Sequence, residues 1–270
     1  MGELSGIAIG VTAERRAGEF IAALERYGAE VRHAPTITIV PLDRDPALRA
    51  GTEAVLAEPV GFTVVTTGAG FRGWLEAAET WGLRDRLAAA LGESRIYARG
   101  PKAVGAVRGA GLRESFSAPS ESNAELFGAL AAAGIEGARV AVQLHGTPLP
   151  ELTDPLVHAG ASLVEVQPYR WHSPPDVTPV YGLIDAAVAG DLAALAFTSA
   201  PAAANFLTLA RTSGHYDELM AVLRGPLVCA CVGPVTAAPL EEAGVRTLQP
   251  ERQRLGALVK LLVTKLAPPD

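Results

Sequence analysis

Cysteine and long apolar runs are scarce in this chain of 270 residues. The two cysteines, Cys229 and Cys231, alternate within one apolar run, so they share a strand face on which a disulfide is geometrically unfavourable. We interpret them as small core residues, because a C-x-C pair without clustered histidine is weak support for a zinc site. No apolar run approaches the roughly 18 residues that a membrane span needs, so we expect no membrane association.

Positive charge is also scarce. The formal net charge is −6, and the sequence has no basic stripe, which disfavours nucleic acid as a partner. An anionic small ligand is still compatible with this balance, because helix termini bind anions locally. The chain lacks a charged-then-apolar leader, so we expect a cytoplasmic location. With 49% hydrophobic and 19% charged residues, the composition is that of a packed globular protein.

Several familiar site patterns are missing as well. Neither a cluster of metal ligands nor a Ser-His-Asp arrangement is evident, so the sequence predicts no metal. The dinucleotide fingerprint G-x-G-x-x-G is absent, since Gly68-Ala69-Gly70 lacks the third glycine at its spacing.

The sequence repeats itself once. The turn at Gly100-Pro101 recurs at Gly233-Pro234, about 133 residues later, and each copy precedes a short helical segment that ends in glycine. The strand-like segments IAIGVT and VAVQLH are related by a similar offset, as are FTVVTTGAG and LAALAFTSAP. Ordered matches at one offset indicate duplication of a unit of roughly 130 residues.

Short apolar strands alternate with Ala- and Leu-rich helices in each copy, which predicts two similar parallel-sheet α/β lobes. In the third of the predicted helices, Ser122 or Glu121 provides the start and Gly134 the stop. The predicted helices are Ala17–Tyr27, Phe71–Trp81, Asn123–Ala133, Ala203–Thr212 and Leu255–Leu266.

Two extended, proline-bounded segments, PTITIVP and PYRWHSPP, occupy equivalent places in the two copies. We expect them to pair as crossovers between lobes, so that each lobe mixes the two copies. Lobe one would then contain residues 1–35 and 176–270, lobe two residues 42–167, and the linkers residues 36–41 and 168–175. The alternative is two sequential lobes divided near Gly134–Gly137.

The motifs TTGAG, HGTPLP, QPYRW, FTSAP and VGPVTAAPLEEAG, taken in order and spacing, resemble the uroporphyrinogen-III synthase family over nearly the whole chain. The resemblance implies two α/β lobes joined by a two-stranded β-ladder, with the active site in the cleft between them. It implies cyclisation of hydroxymethylbilane to uroporphyrinogen III, with loss of water and inversion of the last pyrrole ring. It further implies a monomer without a metal or organic cofactor.

Small and hydroxylated residues follow two of the predicted strands, in TTGAG and FTSAP. Ligands of open α/β sheets bind outside the carboxyl ends of the strands, where small residues expose backbone N–H groups and hydroxyls donate hydrogen bonds. The alternative is that these hydroxyls only cap the helices that follow. The predicted substrate-binding residues in these two turns are Thr66, Thr67, Gly68, Ala69, Thr198, Ser199 and Ala200.

The resemblance implies further site residues. Tyr169 in QPYRW matches the family's candidate for assisting loss of the hydroxyl group, and a phenol can donate to a departing hydroxide. A purely structural tyrosine or histidine is the alternative at Tyr169 and at His145. The remaining predicted substrate-binding residues are Thr12, Lys102, His145, Gly146, Thr147 and Thr236. Lys102 is included because it occupies the turn of the other copy that faces Thr236, one position off strict register, and a solvated turn lysine is the alternative there. At the first turn the family often has Thr-Arg-Pro, whereas this chain has Thr12-Ala13-Glu14, followed by two arginines.

The leading hypothesis is therefore a cytoplasmic uroporphyrinogen-III synthase. A second hypothesis is a synthase-like module that senses tetrapyrroles and regulates, from a longer chain with a DNA-binding domain. The proline-rich end LAPPD resembles the start of a linker and motivates this alternative. A third hypothesis is a two-lobed binding protein for another small anion.

Overall fold

A computed structural model describes residues 2–267 of the chain. The last three residues of the proline-rich end, considered above as a linker, lie outside this range. The described residues divide into two compact units. Unit one combines the residues up to Thr38 with those from His172 onward, and unit two consists of Ile39–Trp171.

Strands and helices alternate along most of the chain. The strands are β1 (Ala8–Val11), β2 (Glu30–His33), β3 (Thr38–Pro41), β4 (Phe62–Val65), β5 (Arg95–Ala98), β6 (Glu114–Ser117), β7 (Arg139–Gln143), β8 (Ser162–Val166), β9 (Tyr169–His172), β10 (Ala194–Phe197), β11 (Val228–Cys231) and β12 (Thr247–Leu248). The helices are α1 (Ala17–Glu25), α2 (Pro46–Ala57), α3 (Gly68–Thr80), α4 (Arg84–Gly92), α5 (Pro101–Gly109), α6 (Asn123–Ala131), α7 (Pro150–His158), α8 (Thr178–Val188), α9 (Ala200–Ser213), α10 (Tyr216–Leu223), α11 (Pro234–Glu242) and α12 (Leu255–Leu266).

Each unit contains a five-stranded parallel sheet, and the two sheets have equivalent strand orders. The order in unit one is β12-β11-β10-β1-β2, and in unit two it is β6-β5-β4-β7-β8. Each sheet thus combines strands from both copies of the sequence repeat. β3 and β9 form a separate antiparallel pair. The predicted fold class, two duplicated α/β lobes joined by a two-stranded ladder, is confirmed.

The central strands are buried because helices cover both faces of each sheet. β4 and β10 are buried along their whole length. In unit two, Phe71 and Trp74 pack on one face of the sheet, and Tyr97 and Phe127 pack on the other. Because successive side chains of a strand point to opposite faces of the sheet, one short apolar strand contributes to the cores on both faces.

The helix starts are set by local capping. Ser122 accepts a hydrogen bond from the Glu125 N–H at 3.1 Å, which confirms it as the start of α6. α3 begins three residues before its predicted start because Thr67 caps it, accepting from the Gly70 N–H at 3.1 Å. α9 also begins three residues early, with Pro201 in its first turn, where a missing N–H costs nothing.

The cysteines are core residues, as the sequence predicts. Cys229 and Cys231 are both buried and free, and they belong to the same core cluster. Burial raises the pKa of the Cys229 thiol to about 12 and also raises that of Cys231. Over residues 2–267, no helix has the combined length and apolarity that crossing a bilayer requires.

A buried polar pair gives a test of the unit-two core. Trp74 donates its indole N–H to the Thr52 hydroxyl at 2.8 Å, and both residues are buried. We expect Thr52→Val to lower the free energy of unfolding by about 1–3 kcal/mol, because the indole N–H loses its acceptor. All three tryptophans lie in unit two, so fluorescence-detected urea unfolding reports on it.

Thr80→Val is the matched control. The Thr80 hydroxyl is on the neighbouring α3 and only donates to the Ala77 carbonyl at its exposed end. We expect Thr80→Val to change the free energy of unfolding by no more than about 0.5 kcal/mol. Equal losses in the two variants would contradict the role assigned to the Trp74–Thr52 bond.

Candidate functional site

The strand order of unit two reverses between β4 and β7. The chain leaves β4 toward β5 on one side and leaves β7 toward β8 on the other. In open α/β sheets, ligands bind at the carboxyl ends of the strands where the order reverses in this way. The turns after β4, β5 and β7 therefore define the candidate site of unit two.

The turn after β4 is fixed to β7 by one glutamine. The Gln143 side-chain oxygen accepts from the Thr67 N–H at 3.1 Å, and its backbone carbonyl accepts from the Thr66 hydroxyl at 2.7 Å. Thr66 is fully buried, so its hydroxyl serves the fold, and we remove it from the predicted ligand-binding set. Sequence reasoning missed Gln143, although a polar residue ending a buried apolar strand is a usable signal.

Three close approaches bring the turns together. A Cβ on Gly68 would overlap the Lys102 carbonyl, and a Cβ on Gly70 would overlap the Gln143 amide. A Cβ on Gly146 would overlap the Trp171 indole, and its φ of 75° lies in the left-handed region. Gly68 and Gly146 were predicted to let a ligand approach. In the structure the space beside each is filled by the protein itself.

Tyr169 lies at this edge on β9. Its phenol oxygen is 3.3 Å from the Thr67 hydroxyl, and either group can donate. Thr67 already accepts from the Gly70 N–H, so a Thr67 O–H directed at Tyr169 would satisfy both contacts.

His145 follows β7 in a half-buried position. Its Nδ1 atom is buried and has no hydrogen-bond partner within residues 2–267. Burial, and secondarily the charge of Arg99, lower the pKa of His145 to about 4, so the imidazole is neutral at pH 7. Thr147, half-buried, donates its N–H to the His145 carbonyl at 2.9 Å. Gln167 donates to the Gly146 carbonyl at 2.9 Å, which fixes this turn beside β9.

Arg99 is the functional candidate that sequence reasoning missed. It follows β5 directly and is half-buried. Burial lowers the pKa of its guanidinium, against the attraction of Tyr169 and Glu121. The available signal was an arginine between a buried strand and a Gly-Pro turn. Ala69, half-buried in the first turn of α3, and Lys102, exposed in the first turn of α5, complete this edge.

Unit one has an equivalent edge with different chemistry. Ser199 begins α9 without a side-chain capping bond, unlike its counterpart Thr67, so its hydroxyl is not used as a cap. Thr198 and Ala200 beside it are half-buried, and Thr236 is buried in the first turn of α11.

Thr12 is a correction in unit one. It is fully buried, and both its N–H and its hydroxyl donate to the Ala196 carbonyl, at 3.2 and 3.1 Å. It is therefore committed to the strand pair and is not a ligand contact. Arg16, one of the arginines after this turn, forms an exposed pair with Glu19 at 2.6 Å.

The unit-two edge suits an anion and hydrogen-bond chemistry. It presents the Arg99 cation, a phenol and a neutral imidazole beside the start of a helix. Across the described part of the chain, no group of three or more His, Cys, Asp or Glu residues could hold a metal ion.

Comparison with known proteins identifies relatives of this chain. The family described as uroporphyrinogen-III synthase HemD matches residues 18–260. A protein named uncharacterized protein YjjA, from Bacillus subtilis (strain 168), is 29% identical over 260 residues, covering 95% of this chain and 94% of the relative. A solved structure of a mutant uroporphyrinogen III synthase from the extremely thermophilic bacterium Thermus thermophilus is 28% identical with a TM-score of 0.78, covering 94% of this chain and 96% of that one. The wild-type Thermus structure is 29% identical with a TM-score of 0.65, covering 96% and 98%.

The contact at Gly146 gives a matched test of the site's packing. Gly146→Ala would combine left-handed strain with overlap on Trp171, whereas Gly134→Ala has nearly the same φ, 77°, and nothing within 4 Å. We expect Gly134→Ala to lower the free energy of unfolding by about 1–2 kcal/mol, and Gly146→Ala to lower it by about 1–3 kcal/mol more. Urea unfolding followed by tryptophan fluorescence measures both. Equal losses of stability in the two variants would show that packing of the Gly146 turn against the Trp171 indole does not contribute.

Proposed function

This chain belongs to the uroporphyrinogen-III synthase family, and we propose that it catalyses cyclisation of hydroxymethylbilane to uroporphyrinogen III. In this reaction a linear tetrapyrrole loses its terminal hydroxyl as water, and the last pyrrole ring is inverted through a spiro intermediate before the macrocycle closes. The substrate carries many carboxylates. A site built from hydroxyls, helix-start N–H groups and cations suits such a polyanion.

The position of Tyr169 supports this proposal more than any other observation. A phenol is neutral near pH 7 and can donate to an oxygen on which negative charge develops. The neighbouring Arg99 charge favours that development, because fixed cations in a half-buried site act at reduced dielectric screening. His145 is neutral with a pKa of about 4, so it supplies no proton at pH 7.

The bond changes follow from these roles. The carbon–oxygen bond of the hydroxymethyl group breaks, and its electron pair leaves with the oxygen, which receives the hydrogen bond from Tyr169. The attached pyrrole supplies the electrons that stabilise the resulting carbocation. The substituted α-carbon of the last pyrrole attacks this carbocation, which gives the spiro intermediate. The older bond from that carbon to its methylene bridge then breaks, and the released methylene carbon bonds to the free α-carbon of the same ring, which inverts the ring and closes the macrocycle. The proton lost from that α-carbon balances the departed hydroxide as water. Holding the two ends of the chain together is worth up to about 7–11 kcal/mol of the barrier in favourable cases.

Further predicted residues of both units have binding roles in this proposal. In unit two, Thr67 orients the Tyr169 phenol, and the half-buried start of α3 faces a carboxylate. In unit one, Ser199 offers a hydroxyl that is not used as a cap. Thr198, Ala200 and Thr236 belong to the same proposed set. We propose that the protein acts as a cytoplasmic monomer and needs no metal, organic cofactor or nucleic acid.

The direct test is cyclisation of enzymatically generated hydroxymethylbilane by the purified chain. We expect uroporphyrinogen III to exceed the spontaneous isomer I, separated chromatographically after oxidation. Isomer I alone would overturn the proposal. Tight tetrapyrrole binding with isomer I alone would favour the regulatory module instead.

Tyr169→Phe tests the catalytic role. The variant keeps the aromatic ring and removes the donor, so we expect kcat to fall by about 100-fold or more while stability changes little. Tyr181→Phe is the control, because Tyr181 packs against the core of unit one. Single-turnover rates of isomer III formation measure both variants. An unchanged rate in Tyr169→Phe would remove the proposed role.

A further inference from the structure

We propose that Arg99 and His145 form a subsite of unit two that binds one carboxylate of the ligand. The inference rests on the proposed function, because that function supplies a polycarboxylate as the ligand. It adds a charged binding group that neither the sequence motifs nor the family match assigns.

The backbone holds Arg99 at the functional edge. Its N–H donates to the Val65 carbonyl at 3.0 Å, which links the end of β5 to the end of β4. The next turn is pressed against α3, where Gly68 meets the Lys102 carbonyl. Gly100 is covered by the side chain of Glu121. The backbone of Arg99 is therefore fixed between two packed turns.

The guanidinium lacks an acceptor. Within residues 2–267, Arg99 makes no side-chain hydrogen bond and no ion pair within 4.0 Å, whereas Arg16, Arg49 and Arg108 each pair with a nearby glutamate. Glu121 attracts Arg99 without reaching ion-pair distance. A guanidinium that has lost water without gaining an acceptor is destabilised, and an incoming carboxylate would relieve that cost.

The fold does not require an arginine here. The equivalent residue in the other copy of the repeat is Val232, which also precedes a Gly-Pro turn and is buried. The same topological position is thus filled by a buried apolar residue in one unit and by a half-buried cation in the other. A half-buried cation at Arg99, with no side-chain acceptor among residues 2–267, points to a ligand.

His145 supplies the second contact. Its buried Nδ1 has no partner within the described residues, as expected for an atom whose partner is a ligand. In the tautomer with its proton on Nδ1, the imidazole donates to the same carboxylate that the guanidinium grips in a bidentate manner. One full positive charge beside a neutral imidazole matches a carboxylate better than a doubly charged phosphate.

NMR titration of the His145 imidazole gives a readout that does not depend on turnover. Arg99 is the charged group that acts on this imidazole, and Tyr169 and Glu121 in turn act on Arg99. In the free protein we expect a pKa of about 4. Arg99→Gln should raise the His145 pKa, because the Arg99 charge is one of the two causes of its low value and the substitution removes it. Saturation with uroporphyrinogen III, kept reduced, should also raise it in the unsubstituted protein and less in Arg99→Gln.

Calorimetric binding of uroporphyrinogen III measures the contact itself. We expect Arg99→Gln to weaken binding by about 10- to 100-fold, the range for hydrogen bonds to a charged group, and Arg99→Lys to recover part of the loss. Arg95→Gln is the matched control. Arg95 begins the same strand at its opposite end, where it is exposed and stacks on Phe62, so binding should be unchanged.

The outcomes separate the two proposals. The subsite proposal would be overturned, even if isomer III is formed, by either of two results. One is an unchanged affinity of Arg99→Gln for uroporphyrinogen III, and the other is a His145 pKa that does not change when this ligand binds. Arg99-dependent binding in a protein that yields only isomer I would retain the subsite and overturn the synthase activity. Absence of any binding by the unsubstituted protein would overturn the subsite.

Discussion

The candidate site of unit two depends on the absence of side chains at three positions. Gly68, Gly70 and Gly146 let the turns after β4, β5 and β7 and the strand β9 touch, because a single Cβ at any of them would overlap a neighbour. The contacts fix Thr67 beside Tyr169 and bring the end of β5 to the same edge. Interiors are close-packed, so turns held this way cannot shift independently, and preorganised groups lose little freedom when a ligand arrives.

Duplication produced two scaffolds of one topology with different chemistry at their edges. Where unit two has Arg99 and Lys102 flanking its Gly-Pro turn, the other copy has Val232 and Val235. Where Thr67 caps α3, its counterpart Ser199 leaves α9 without a side-chain cap. At this turn the cations therefore belong to unit two, and the equivalent edge of unit one offers hydroxyls.

The sequence predicted the fold better than the site. Strand alternation, the repeat and the paired prolines specify two sheets and a ladder, because each depends on local pattern and offset. Ser122 and Thr67 as caps follow from local chemistry too. Thr66 and Thr12 could not be assigned correctly, since their hydroxyls bond to carbonyls 77 and 184 residues away in sequence. Arg99 and Gln143 were missed because burial and partners of a strand-end side chain depend on which turns pack beside it.

The arrangement also explains why a histidine is tolerable next to a cation. A protonated His145 would repel Arg99 in a half-buried site, and the lowered pKa of the imidazole avoids this by keeping it neutral at physiological pH. The charge of this pair then stays constant well above pH 4, so we expect the proposed subsite to bind a carboxylate with an affinity that does not vary with small pH changes near neutrality. A single guanidinium supplemented by neutral donors binds each carboxylate only moderately. Under the proposed synthase activity, substrate and product carry the same carboxylates, so stronger ion pairs would hold both equally tightly without lowering the barrier.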